Sequence, residues 1–186
     1  DVETPVEGTL EAYAQLQKDG KIRWIGTSNM SPERILASLE ASVAKGLPRY
    51  ETLQPHYNLY AREKYETQYE SLALENGLGV ITYFSLESGF LTGKYRTKDD
   101  LGKSPRGGDM DKYFDERGLK ILAALDEISN QYKATPAAVS LAWLIQRPSV
   151  TAPIVSATSK SIILAPQLNL DADAIRLLDK ASTWQL

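Results

Sequence analysis

The chain has 186 residues, 21 lysines plus arginines against 24 aspartates plus glutamates, a net charge of −3 and 42% hydrophobic residues. That is an ordinary globular composition, long enough for a sizeable core, and it excludes disordered, collagen-like and low-complexity chains. The mild acidity leaves no footprint for nucleic acid, and no apolar run reaches the length of a membrane span.

The absence of cysteine excludes disulfides and thiolate metal sites. Residues 1–5 lack the layout of a signal peptide, and a cytoplasmic location is expected. The single histidine, His56, rules out a two-histidine metal site, and any imidazole chemistry must use it.

Thr4-Pro5-Val6-Glu7 reads as a helix start, with threonine as cap, proline at the first position and glutamate where a capping box places it. Leu10, Tyr13, Ala14, Leu16 and Gln17 follow at helical spacing, and Gly20 closes the helix. KIRWIGT (21–27) is a short strand candidate. Ser31-Pro32 opens a second helix, with Ile35, Leu36, Leu39 and Val43 as its apolar face and Gly46 as its stop. Residues 51–58 form the next extended candidate, and a third helix spans 62–76, stopped by Gly77. GVITYFS (79–85) is the clearest strand, rich in β-branched and aromatic residues.

Residues 88–117 are polar and rich in glycine and charge. They are too long for an ordinary connection and read as a mobile surface insertion or as a lid over a ligand. The single RGG at 106–108 reads as part of that loop. Helices are expected over 116–132 and 135–146, the second capped by Thr135-Pro136, then a strand over 151–157 and a last helix from about Asp171.

Strand candidates beginning near residues 22, 51 and 79, each separated from the next by a helix, are the mark of βα units in a parallel sheet. An open four-stranded parallel sheet has an uncovered face and unpaired edges, and a complete (β/α)8 barrel takes about 250 residues. The expected fold is therefore α/β, of the (β/α)8 barrel type, of which this chain supplies about four βα units.

GKIRWIGTSN (20–29), LQPHYNL (53–59), ITYFSLESGFLTGKYR (81–96), DLGKSPRGG (100–108), residues 135–148 and PIVSATS (153–159) occur in an order that resembles the aldo-keto reductases. The likeness is to the bacterial branch with a long loop after the seventh strand. It implies a barrel that reduces aldehydes and ketones with NADP(H), with residues 1–186 as its C-terminal half, strands five to eight, and the long loop at about 88–116. The family's catalytic aspartate, tyrosine, lysine and histidine lie on its first four strands. DVETPVEGTL (1–10) matches the segment just downstream of that histidine, so no tetrad member is expected here. Asp1 is not the tetrad aspartate, and His56 stands at a variable position before Tyr57-Asn58. The polypeptide alone is expected to lack reductase turnover. Its partners would be a small carbonyl substrate and either the missing N-terminal half or a second copy. The competing expectation is a non-catalytic half barrel that self-associates as a binding or scaffold module.

Barrel sites lie at the C-terminal ends of strands. There the first strand offers Ser28 and Asn29, a hydroxyl beside an amide, able to bond a nicotinamide carboxamide. The second offers Gln54, which the resemblance makes a further carboxamide contact. The third offers Tyr83, whose ring can stack on the nicotinamide. In the next loop, Leu86, Ser88, Gly89, Leu91 and Lys94, with Arg96, suit a pyrophosphate through glycine-permitted approach, backbone amides and positive charge. The GxxxGK there is not a P-loop, because Tyr95 stands where serine or threonine is required. After the last strand, Ser156, Ala157, Thr158, Ser159, Lys160 and Ser161 suit a phosphate at a helix N-terminus. Beyond Ser161 the chain is several residues shorter than the family pattern, and Gln167 does not fall in the family's position, which leaves NADP against NAD open.

Overall fold

A computed structural model of the chain describes residues 3–103, 107–156 and 160–184. Along them, helices and strands alternate: α1 (Val6–Lys18), β1 (Ile25–Ser28), α2 (Pro32–Lys45), β2 (Tyr50–Gln54), α3 (Glu63–Gln68), α4 (Glu70–Glu75), β3 (Gly79–Thr82), α5 (Glu116–Tyr132), α6 (Pro136–Ile145), β4 (Val150–Pro153), α7 (Lys160–Ile163) and α8 (Ala172–Ala181). The strands pair in parallel in the order β1-β2-β3-β4. The chain is thus an α/β protein with a four-stranded parallel sheet. No helix among the described residues is long and apolar enough to cross a membrane.

Local signals place most of the boundaries. At the head of α2 the Ser31 hydroxyl accepts from the Arg34 N–H, and Gly46, at φ 63°, ends the helix in the left-handed region. Asp115, Thr135 and Asp171 cap α5, α6 and α8 in the same way. α1 departs from its sequence signal. Pro5 itself occupies its cap position and no side chain caps it, so Thr4 lies one residue too far out and the expected capping box does not form.

Two expectations are corrected by packing. In α2, Ile35 and Leu39 are buried but Leu36 is 41% and Val43 87% exposed; Ser38 and Ser42 complete the buried stripe instead. Each serine donates to the carbonyl four residues back, at 2.8 Å, which lets a hydroxyl sit in an apolar stripe. The expected third helix is two helices, broken at Tyr69 (φ −122°, ψ −25°). Tyr69 is buried there, and its hydroxyl donates to the Met30 carbonyl.

The long segment after β3 is not a loose polar insertion. It winds through 3-10 turns at Glu87–Thr92, Lys98–Lys103 and Gly107–Tyr113, and it buries Phe90, Leu91, Tyr95, Met110 and Tyr113 in the core. Arg96 forms a two-pronged ion pair with Asp126 of α5, at 2.7 and 2.6 Å. Its aromatic residues, rather than its charges, decide its place.

The sheet has two unlike faces. Ile25, Thr27, Leu53, Val80 and Thr82 are buried, and Leu53 and Val80 share one core with Leu39 of α2, Leu72 of α4, Leu125 of α5, Trp143 of α6 and Leu178 of α8. The alternate residues Gly26, Ser28, Gln54 and Ile81 face away from those helices and are exposed or half-buried. β1 and β4 form the edges.

One glycine is held by a backbone neighbour. A Cβ on Gly118, in the first turn of α5, would run into the Tyr113 carbonyl oxygen. Gly118→Ala is expected to destabilise the fold by about 1–3 kcal/mol through this overpacking, read as a lowered urea midpoint at unchanged slope.

Candidate functional site

The parallel register decides which strand-end side chains meet. Ser28 pairs with Gln54, and a bridge just past β2 and β3 pairs His56 with Tyr83. With the strand period of two, Ser28, Gln54, His56 and Tyr83 share the face that the helices leave open. The Ser28 hydroxyl donates to the Gln54 carbonyl at 2.8 Å, and the Tyr83 hydroxyl donates to Asn29 Oδ1 at 3.0 Å. Asn29, Gln54, His56 and Tyr83 line one cleft together with Lys64 and Tyr69. Ser28, Asn29, Gln54 and Tyr83 are therefore brought together as the strand-end reading expects.

The second group of residues surrounds a neighbouring cleft of about 520 Å3, which shares Tyr83 and is lined by Leu86, Ser88, Gly89, Lys94 and Ser156. The end of β4 and the turn after β3 thus face one space. Leu91 is elsewhere: its side chain lies in the core and its N–H donates to the Leu86 carbonyl. Arg96, held by Asp126 and by the Gly93 carbonyl, is not directed at a phosphate. Lys94 lies with its Nζ over the Tyr95 ring, 4.7 Å from the centroid. Ala157, Thr158 and Ser159 lie outside the described residues.

The backbone around these clefts is unusual. Asn29, Phe84, Glu87 and Ser88 all have positive φ, between 44° and 55°, and Gly89 stands at 102°. Non-glycine residues rarely adopt this region, and they do so where surrounding structure overrides the cost, often at ligand-binding turns. Of these residues, Phe84, Ser88 and Gly89 line the cleft beside the end of β4.

Sequence reasoning missed the group beneath this turn. Glu87 is only 4% exposed. Its carboxylate accepts from His56 Nε2 at 2.8 Å, from the Asn58 amide and from the Tyr113 hydroxyl. Burial, the largest influence, pushes the Glu87 carboxyl up, but donation by His56, Tyr113 and Asn58 together holds it below its ordinary value of 4.5. An ionised carboxylate only accepts, so His56 Nε2 carries the hydrogen. Asn58 also donates to the Phe84 carbonyl, and its Oδ1 accepts from the amides of Tyr60 and Ala61. The one available signal was a lone glutamate in the otherwise uncharged run SLESGF. Its three donors come from distant parts of the chain.

A depressed carboxyl pKa has a definite consequence for acid stability. The folded state holds fewer protons than the unfolded chain, so the contribution is full above 4.5 and is lost as pH falls through the lowered folded value. Glu87→Gln is expected to flatten the loss of stability between neutral and acid pH. Urea midpoints at pH 7 and below 4 measure it, and an equally steep acid loss in the variant contradicts the assignment.

The parallel α/β sheet gathers amides, a hydroxyl and a flat ring at its strand ends, the place where such sheets commonly bind small molecules. The chain belongs to the aldo/keto reductase family, whose model matches residues 1–182. It is 32% identical over 184 residues to a probable voltage-gated potassium channel subunit beta of Arabidopsis thaliana, covering 96% of this chain and 55% of the relative. It is 30% identical over 177 residues to Protein tas of Escherichia coli K12, covering 90% and 50%. It is 32% identical over 164 residues to an L-glyceraldehyde 3-phosphate reductase of Escherichia coli O157:H7, covering 85% and 47%. The chain spans about half the length of the curated relatives it matches.

Proposed function

We propose that this chain is the cofactor-holding half of a (β/α)8 barrel, strands five to eight, in a protein that reduces aldehyde or ketone carbonyls with NADP(H). The observation that carries the reading is the convergence of Ser28, Asn29, Gln54 and Tyr83 at consecutive strand ends on one open face. The donor set fits a nicotinamide. Asn29 Oδ1 is engaged by Tyr83, which leaves its Nδ2 to donate to a carboxamide oxygen, while Gln54 and the Ser28 oxygen accept from a carboxamide NH2. Tyr83 is half-buried and offers a ring for stacking. Ser88, Gly89, Lys94 and Ser156 hold the pyrophosphate side, with Leu86 and Leu91 seating the turn. A bound nicotinamide supplies the hydride for carbonyl reduction, and this chain orients it.

We assign the family's four catalytic positions to the other half of the barrel. The open sheet face agrees with that division, since a closed barrel covers it. The same face supports a second reading, a half barrel that pairs with another copy and binds without catalysis. Solution mass of the 186-residue polypeptide separates the two, because a stable dimer favours the second.

The direct test is titration of the intact protein with NADPH, read by quenching of intrinsic fluorescence, followed by NADPH oxidation with a reactive aldehyde. Saturable binding and turnover are expected of the intact protein, and binding at most of the 186-residue polypeptide. Normal turnover by that polypeptide alone overturns the division of labour between halves.

A further inference from the structure

His56 is the one imidazole of the chain, and the proposed chemistry leaves it without a task. Its surroundings are more ordered than a rim residue requires. The imidazole stacks on Tyr83, with centroids 5.4 Å apart and planes 21° from parallel. Phe84 meets both rings edge-on, at 5.5 Å to His56 and 5.4 Å to Tyr83. On its other side the imidazole is tied by Nε2 to the buried Glu87, itself held by Asn58 and Tyr113. The Tyr83 ring is thus fixed in three ways: its hydroxyl by Asn29, one face by His56 and its edge by Phe84. An imidazole free to rotate would order Tyr83 little. One anchored to a buried carboxylate presents a fixed plane.

We propose that His56, anchored by Glu87, is a positioning residue that sets the plane of the Tyr83 ring and so the stacking surface offered to the nicotinamide. This rests on the reading of Tyr83 as the nicotinamide platform. His56 acts through Tyr83 and exchanges no proton with the substrate. The turn after β3 enters the same arrangement, since Phe84 and Glu87 hold their rings and carboxylate from left-handed backbone positions. Strain in that turn therefore serves to place the platform.

The test uses the intact protein and two variants, His56→Ala and His56→Phe. The His56 side chain is 35% exposed, so neither change empties the core, and thermal midpoints confirm folding. His56→Ala is expected to raise the NADPH dissociation constant about fivefold, the range of one aromatic pair, with the KM for the carbonyl substrate unmoved. His56→Phe keeps a flat ring against Tyr83 but loses the tie to Glu87, so it is expected to weaken binding about as much as His56→Ala. Parent-like binding by His56→Ala overturns the role of His56, and parent-like binding by His56→Phe overturns the role of its anchor. A parent that binds no NADPH overturns the reading of the site itself, and the role of His56 falls with it.

Discussion

Replacing both Gln54 and Tyr83 by alanine is expected to weaken NADPH binding by about a hundredfold. The stack on Tyr83 and the hydrogen bond to Gln54 each stand for about 1 kcal/mol, and loss of the Tyr83–Asn29 tether adds a similar amount. Single changes divide the effect. Tyr83→Phe retains the ring but releases Asn29, whose Oδ1 now accepts from the Tyr83 hydroxyl at 3.0 Å, and about fivefold is expected. Gln54→Ala removes one contact and is expected to cost about as much. Both residues lie on the open face rather than in the core, so urea midpoints should scarcely move. Unchanged affinity in the double variant, measured by fluorescence titration, overturns the nicotinamide assignment.

The largest stability effect is expected at Arg62. Its side chain is 9% exposed and its Nε lies 2.7 Å from Glu66. Nη1 donates to the Ser182 hydroxyl at 2.7 Å and to the Asp179 carbonyl at 3.1 Å. The guanidinium also faces the rings of Trp143 and Trp184, at 5.3 and 5.0 Å from their centroids. It therefore joins α3 to the end of α8 through one planar group. Arg62→Ala leaves the half-buried Glu66 without its cation and is expected to cost about 3–5 kcal/mol. Arg62→Lys is expected to restore little, because an ammonium cannot make the forked contacts or offer a planar face to the indoles. Urea denaturation checks both, and a loss under about 1 kcal/mol for the alanine variant contradicts this account.

Arg62 also shows where sequence reading stops. Its position at the start of a helix was legible, but its partners at 179, 182 and 184 lie more than a hundred residues away. Glu87 is a similar case: His56, Asn58 and Tyr113 converge on it only because β2, β3 and the long segment pack together. By contrast the meeting of Ser28, Asn29, Gln54 and Tyr83 at strand ends was legible, because strand ends follow from strand position and a parallel register aligns them. Leu91 lies in the same loop as Ser88 and Gly89, but its side chain is buried in the core rather than in the cleft.

Caps, stops and alternation are interactions within a few residues, so Ser31, Gly46, Thr135 and the βα rhythm could be read from the order of residues alone. Rhythm and length together named an α/β chain with parallel strands. Which face of a helix is covered depends on neighbours brought from elsewhere, which is why Leu36 and Val43 stand in solvent while Ser38 and Ser42 are buried. The break at Tyr69, the seating of the long segment by its aromatics and the anchored imidazole behind Tyr83 have the same origin. Each minimises exposed apolar surface and unpaired polar groups over the whole packed molecule, a balance that no short window of sequence contains.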